Sequence, residues 1–163
     1  MAIRPVTKEK ALDRLTSLCV RSEQCGFDLK RKLINWRLSV ADIKGILEYL
    51  KEHKYLDETR YAKSFANDKA KFSLWGPYKI KMELSKRKIH PQIIREAVSG
   101  VGQEIWKDSL LRCATLKSRN LDMIGEEGYV NRQKLFRYLI SRGFPSEAAK
   151  KAVAVMKRRQ EEE

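Results

Sequence analysis

Between Lys69 and Arg95 the chain carries eight basic side chains, Lys69, Lys71, Lys79, Lys81, Lys86, Arg87, Lys88 and Arg95, against a single acid, Glu83. Lysines that only keep a helix soluble usually alternate with glutamates at i,i+4 spacing. Here those partners are missing, and such a density suits a polyanion or an acidic protein surface. Two tryptophans bear on this chemistry, one of them inside the basic stretch. Trp75 precedes Gly76-Pro77 and Trp36 precedes Arg37. Either indole could stack on nucleic-acid bases, and packing between neighbouring helical units is the other use open to them.

Catalytic chemistry is harder to find. His53 and His90 could each serve as a base, but one follows a helix end, the other stands before Pro91, and neither has a nucleophile nearby. No G-x-x-x-x-G-K-[ST] loop is present to cradle phosphates. Gly100-Val-Gly102 reads as a linker, and the adjacent pairs Asp57-Glu58 and Glu126-Glu127 read as helix caps or loop decoration. Cys19, Cys25 and Cys113 are odd in number and lack the short paired spacing of a zinc site. Cys19 and Cys113 fall on apolar helix faces and are expected in the core, whereas Cys25, beside Gly26, is expected to be more exposed. The expectation is a protein that is no enzyme and uses no metal or cofactor.

The net charge of 35 minus 21, or +14, is spread along the chain. Residues 1–57 contribute +4, 58–102 contribute +6 and 103–163 contribute +4. With 42% apolar and 34% charged residues in 163, the chain can fold but is too charged for one large core. No apolar run approaches a membrane span. The start, Met-Ala-Ile-Arg-Pro-Val-Thr-Lys-Glu-Lys, lacks the apolar stretch of a secretory leader, so a cytoplasmic location is expected.

The elements that must position the basic cluster announce themselves by repetition. Leu29, Leu33, Leu38, Ile43, Ile46, Leu47 and Leu50 align with Ile80, Leu84, Ile89, Ile94, Ala97, Val98 and Val101, then with Leu135, Leu139, Phe144, Ala149, Ala152, Val153 and Met156. All seven positions are apolar in all three copies, at shifts of 51 and 55 residues, a period of tandem helical modules. In each copy the first apolar residues step by four and five and the last four fall at i, i+3, i+4 and i+7. That spacing predicts two helices joined by a tight turn. Ser39 suits a helix cap, Pro91 and Pro145 a first helical turn, and Gly143 a helix exit. A further helix precedes each hairpin, over about residues 7–23, 57–72 and 103–120. The predicted fold is all-α: three tandem three-helix bundles, over 1–57, 58–102 and 103–163 with a frayed charged tail, leaning on one another in an elongated or curved array.

The ordered motifs resemble the RecX family of recombinase regulators. They are Arg21-Ser22-Glu23 with Asp28-Leu29-Lys30-Arg31-Lys32-Leu33, then Tyr55-Leu56-Asp57-Glu58-x-Arg60-Tyr61-Ala62-x-x-Phe65, then Gly76-x-x-Lys79-Ile80-x-x-Glu83-Leu84 closing on Ile89. The third hairpin extends the match to about Met156. The resemblance implies a non-enzymatic protein of tandem three-helix bundles that lies in the groove of the RecA nucleoprotein filament; a monomer is expected. It further implies restraint of RecA's ATP hydrolysis, strand exchange and co-protease activity, and so of DNA repair, recombination and the SOS response, with direct DNA binding in some members. Candidate contacts to filament or DNA are Arg21, Arg31, Arg60, Lys79, Lys81, Lys86, Arg87 and Lys88. A general basic helical DNA-binding protein acting without RecA, or an adaptor for another acidic protein, are the alternatives. The chain departs from the family pattern where Arg37 and Lys88 replace the glycine that survives as Gly143, so those helix exits are expected to differ. Glu58 also replaces a common second aspartate.

Overall fold

The computed structural model describes residues 5–163. Met1 to Arg4, which open the stretch read as lacking a leader, lie outside the described residues. Among the described residues there are nine helices and no strand. They are α1 (Lys8–Arg21), α2 (Gly26–Asn35), α3 (Val40–Glu52), α4 (Glu58–Lys71), α5 (Pro77–Lys86), α6 (Pro91–Ser99), α7 (Gln103–Ser118), α8 (Gly128–Ser141) and α9 (Ser146–Glu161). No helix of the described residues is long and apolar enough to cross a membrane. The architecture is an all-α array of helical repeats.

The repeated apolar pattern is the core. Every one of its positions is buried except Leu38, Leu47 and Val153, which are half-buried. Starts follow from polar caps: Thr7, Ser39 and Asp57 side chains accept from the amides of Lys10, Asp42 and Arg60. Pro77 and Pro91 open α5 and α6, whose missing N–H costs nothing there. Pro145 differs from expectation, standing one step earlier as the N-cap of α9.

The step of five in the pattern is a turn. The amides of Leu38, Ile89 and Phe144 donate to the carbonyls of Leu33, Leu84 and Leu139 at 3.3, 3.3 and 3.2 Å. Those of Arg37, Lys88 and Gly143 donate to Ile34, Ser85 and Ile140. This pair of bonds closes a helix through a left-handed residue. Arg37, Lys88 and Gly143 accordingly have φ of 61°, 59° and 92°. The expected difference between the exits is therefore absent: Arg37 and Lys88 take the glycine conformation despite their Cβ atoms.

Three clusters of buried side chains form, and they trade residues. The first gathers Ala11, Leu15, Leu29, Leu33, Ile43, Ile46, Leu50 and Leu56. The second, built on Ala62, Ala66, Ile80, Leu84 and Ile94, also takes in Cys25 and Phe27 from α2 and the start of α7 through Ile105 and Trp106. The third, built on Leu135, Leu139, Ala149 and Met156, takes in Leu74 from the α4–α5 loop. Cys25 is thus fully buried rather than exposed, because it seats α2 on the neighbouring core, and Cys19 is only half-buried. α7 divides between two cores, Trp106 packing on the middle cluster and Leu110 and Cys113 on the last.

The junction of the middle and last clusters is made by backbone. The amides of Gly76 and Tyr78 donate to the carbonyls of Arg142 and Gly143 at 2.7 and 3.0 Å. The first turn of α5 thereby satisfies carbonyls left open at the end of α8. A Cβ on Gly76 would strike Gly143 and Phe144, and one on Gly143 would strike Lys79. Gly76 has an ordinary φ of −82°, so it is the close approach to Gly143 that requires glycine there. The Ser109 hydroxyl adds a buried bond to the Ala70 carbonyl at 2.6 Å, and the Arg142 guanidinium donates to Ser73.

The end of the chain is held as well. α9 continues to Glu161, so the expected fraying does not occur over that span. Gln160 accepts from the Met123 amide at 2.8 Å and donates to the Leu121 carbonyl at 2.9 Å, tying α9 to the α7–α8 loop.

Candidate polyanion-binding surface on the middle bundle

α4 brings Tyr61, Phe65 and Lys69 onto one side at four-residue steps, and the turn after Leu74, itself at φ 54°, folds Trp75 back against them. The Trp75 amide donates to the Lys69 carbonyl at 3.0 Å, which ties the backbone at Trp75 to the end of α4. Phe65 stacks obliquely on Tyr61 at 5.7 Å and edge-on to Trp75 at 6.2 Å. Cations line this ladder. Lys69 Nζ lies 4.9 Å from the Trp75 ring centre and 5.6 Å from that of Phe65, Lys79 Nζ lies 4.6 Å from Trp75, and the Arg87 guanidinium lies 5.2 Å from Phe65. A cation over an aromatic face keeps its full charge and its remaining hydrogen bonds.

The candidate contacts separate into two groups. None of Lys69, Lys79, Lys81 or Lys88 has a carboxylate partner among the described residues. Lys81 reaches over Tyr78 at 5.9 Å and Arg31 over Phe27 at 6.0 Å, while Arg21 Nε donates back to the Ser17 carbonyl at 3.3 Å. These cations are available to an outside anion.

Arg60, Lys86 and Arg87 are engaged within the chain. Arg60 pairs with Glu23 at 3.0 Å and donates to the Lys54 carbonyl at 2.9 Å, with Asp57 taking only its amide. Lys86 meets Glu83 at 2.9 Å. Arg87 donates to the Glu83 carbonyl and carboxylate at 2.9 and 3.2 Å and stands 3.4 Å from Asp28 without a hydrogen bond there. Arg60 and Arg87 therefore join the first bundle to the middle one. Burial works against the Arg87 charge, but Tyr61, Glu83 and Asp28 around it hold the guanidinium above its ordinary value. The Lys86 hydrogen bond, ahead of that from Arg87, holds the Glu83 carboxyl low.

Sequence reasoning left Lys69 off the candidate contacts, although its four-residue step from Phe65 was readable. Glu23 and Asp28 could not be found as partners because they come from another bundle. Reactive groups do not gather at this surface. Burial pushes the Cys25 thiol from an ordinary 9.0 up to about 11, and it donates to Asp28 at 3.2 Å. His90 caps α6 by accepting from the Gln92 amide, and His53 stacks on Tyr49. Among the described residues no three His, Cys, Asp or Glu side chains converge as a metal site.

Two family models match this chain: the second three-helix domain of RecX over residues 57–98 and the third over residues 118–153. The regulatory protein RecX of Clostridium botulinum strain Alaska E43 is 33% identical over 111 residues, 68% of this chain and 51% of that protein. The chain belongs to the RecX family. The regulatory protein RecX of Chlorobium phaeobacteroides is 26% identical across 89% of this chain and 92% of its own length. The matched region spans about half the length of the first clostridial RecX relatives. Two solved RecX structures share the fold. A regulatory protein RecX superposes with a TM-score of 0.73 at 22% identity, covering 86% of this chain and 68% of its own. RecX from Lactobacillus salivarius does so at 0.72 and 17%, covering 90% and 94%.

Proposed function

We propose that this chain is a non-enzymatic RecX-type regulator that binds the nucleoprotein filament of RecA and restrains its ATPase, strand-exchange and co-protease activities. The observation that carries the reading is the set of carboxylate-free lysines, Lys69, Lys79, Lys81 and Lys88, on a RecX scaffold. Ion-paired lysines would have to break a partnership to bind, whereas these need only shed water and counterions. The middle bundle then supplies the electrostatic anchor and the outer bundles reach neighbouring protomers. Holding several protomers at once raises effective concentration and opposes the relative motion that a hydrolysis cycle needs.

The Phe65–Trp75 ladder favours a second reading, a basic protein that coats single-stranded DNA without RecA, since aromatic rings beside lysines are the usual platform for bases. One experiment separates the two. The ATPase rate of the cognate RecA on single-stranded DNA is followed as the chain is added, with free-DNA binding measured in the same buffer. Suppression well below one copy per RecA, before the DNA is coated, is the expected result. Suppression only at DNA saturation transfers the reading to the DNA-binding alternative.

A further inference from the structure

The inner face of the α2–α3 hairpin is closed by α1, but its outer face is not. Val40, Ile43 and Leu47 fall at i, i+3 and i+7 along α3, and Ile34 of α2 stands beside them. Together they floor a groove of about 480 Å³. Val40 is 85% and Ile34 53% exposed, although both are large apolar side chains on ordered helices. Contiguous aliphatic surface rimmed by polar side chains is the kind of surface that a docking partner can cover.

The rim decides the occupant. Lys30, Lys44 and Lys51 border the groove and face one acid, Glu48, whose carboxylate is 3.9 Å from Lys44. A second copy of a chain with net charge +14 is disfavoured by this rim. A segment with apolar anchors and acidic flanks is favoured. From Val40 to Lys51 the groove runs about 17 Å along α3, at ~1.5 Å per residue, room for three helical turns.

Part of the arrangement recurs in the last bundle, with an apolar residue where the first has Lys30 and without the counterparts of Ile34 and Val40 in the lining. Phe136, Lys150 and Val153, at the repeat positions of Lys30, Lys44 and Leu47, line a groove of about 370 Å³ with Tyr129 and Arg132. The core positions of the repeat are explained by burial; the recurring outer pair of a lysine and an aliphatic side chain, Lys44 with Leu47 and Lys150 with Val153, is not.

We infer that the α2–α3 groove docks an acidic amphipathic helix of a partner protein through Ile34, Val40 and Leu47, with Lys30, Lys44 and Lys51 holding its acidic flanks. The surface is separate from the lysines of the middle bundle and does not depend on the filament reading. The test uses the full chain and a fluorescein-labelled 16-residue peptide with leucines at i, i+3, i+4 and i+7 and glutamates elsewhere. Anisotropy should report binding, and amide shifts should centre on Ile34, Val40 and Lys44. Val40→Glu should weaken it about tenfold or more, as loss of one buried aliphatic anchor does. Val40 is exposed, so the variant keeps its fold, as circular dichroism checks, and Lys79→Ala should leave peptide binding unchanged. Equal binding of a scrambled peptide of the same composition, shifts confined to α8–α9, or no effect of Val40→Glu would each overturn the inference. So would self-association abolished by Val40→Glu, or binding to phosphatidylglycerol vesicles but not to the peptide.

Discussion

The three hairpin turns form a natural substitution series, because one backbone geometry is occupied by Arg37, Lys88 and Gly143. A side chain in the left-handed region costs roughly 1–2 kcal/mol. Glycine escapes that cost but gives back roughly 0.5–1 kcal/mol in chain entropy. Arg37→Gly and Lys88→Gly should therefore each stabilise the fold by about 0.5–1 kcal/mol. Among the described residues neither side chain makes a hydrogen bond that the change would forfeit. In separate hairpins the two gains should add. For a chain of this size each kcal/mol raises Tm by about 2–4 °C, so the double variant should melt about 2–8 °C higher. Gly143→Ala runs the other way. It takes on the left-handed cost and drives a Cβ into the backbone of Lys79 at the α5–α8 junction, for a loss of about 2–4 kcal/mol. Urea unfolding followed by circular dichroism reads all four proteins. If both glycine variants are neutral or destabilised while Gly143→Ala is tolerated, the account of these turns is wrong. Lys88→Gly carries a second expectation, weaker inhibition of RecA despite greater stability, because local strain kept against a cheaper residue marks functional positions.

Lys79→Ala should lower the salt slope of DNA binding by about 1 and leave stability nearly unchanged, whereas Arg87→Ala should cost about 2 kcal/mol in urea unfolding by removing the hydrogen bonds to Glu83 and the counter-charge beside Asp28. The Cys25 thiol has its pKa raised by burial, so its contribution to stability is whole below pH 9.0 and is lost as pH climbs towards about 11. Unfolding at pH 8, 9.5 and 11 should show a smaller alkaline loss in Cys25→Ala, and a thiol reagent at pH 8 should leave native Cys25 and Cys113 unmodified. Gln160→Ala should cost about 1–3 kcal/mol locally and speed exchange of the Met123 amide, since it removes a partner from two backbone groups of the α7–α8 loop.

Helix faces were legible because burial writes a period into each segment. Ile94, Ala97, Val98 and Val101 needed no partner to be recognised as one face, and the step of five from Leu84 to Ile89 already encoded the turn. What crosses from one bundle to the next was not legible. Cys25 looks like a linker residue until Tyr61 and Ala62 are placed around it. Gly76 looks like a companion to Pro77 until Gly143 arrives from a position sixty-seven residues later. The basic cluster was visible as composition, but only the fold could separate Lys79, free above Trp75, from Arg87, held by Glu83 and beside Asp28.

The junctions bear on how such an array could restrain a filament. A chain of small bundles on flexible linkers would follow any motion of its target and oppose none. Here the first junction inserts Cys25 and Phe27 into the next core and is clasped by Arg60 and Arg87. The second presses backbone against backbone through Gly76 and Gly143, with no side chain between them to yield. Spacing between the cations of successive bundles is then set before binding, so little entropy is lost on engagement. Any change of protomer spacing in the target must break either the contacts or a junction. Gly143→Ala, by loosening the second junction, should reduce RecA inhibition more than it reduces binding of a single DNA strand, which makes no demand on inter-bundle spacing.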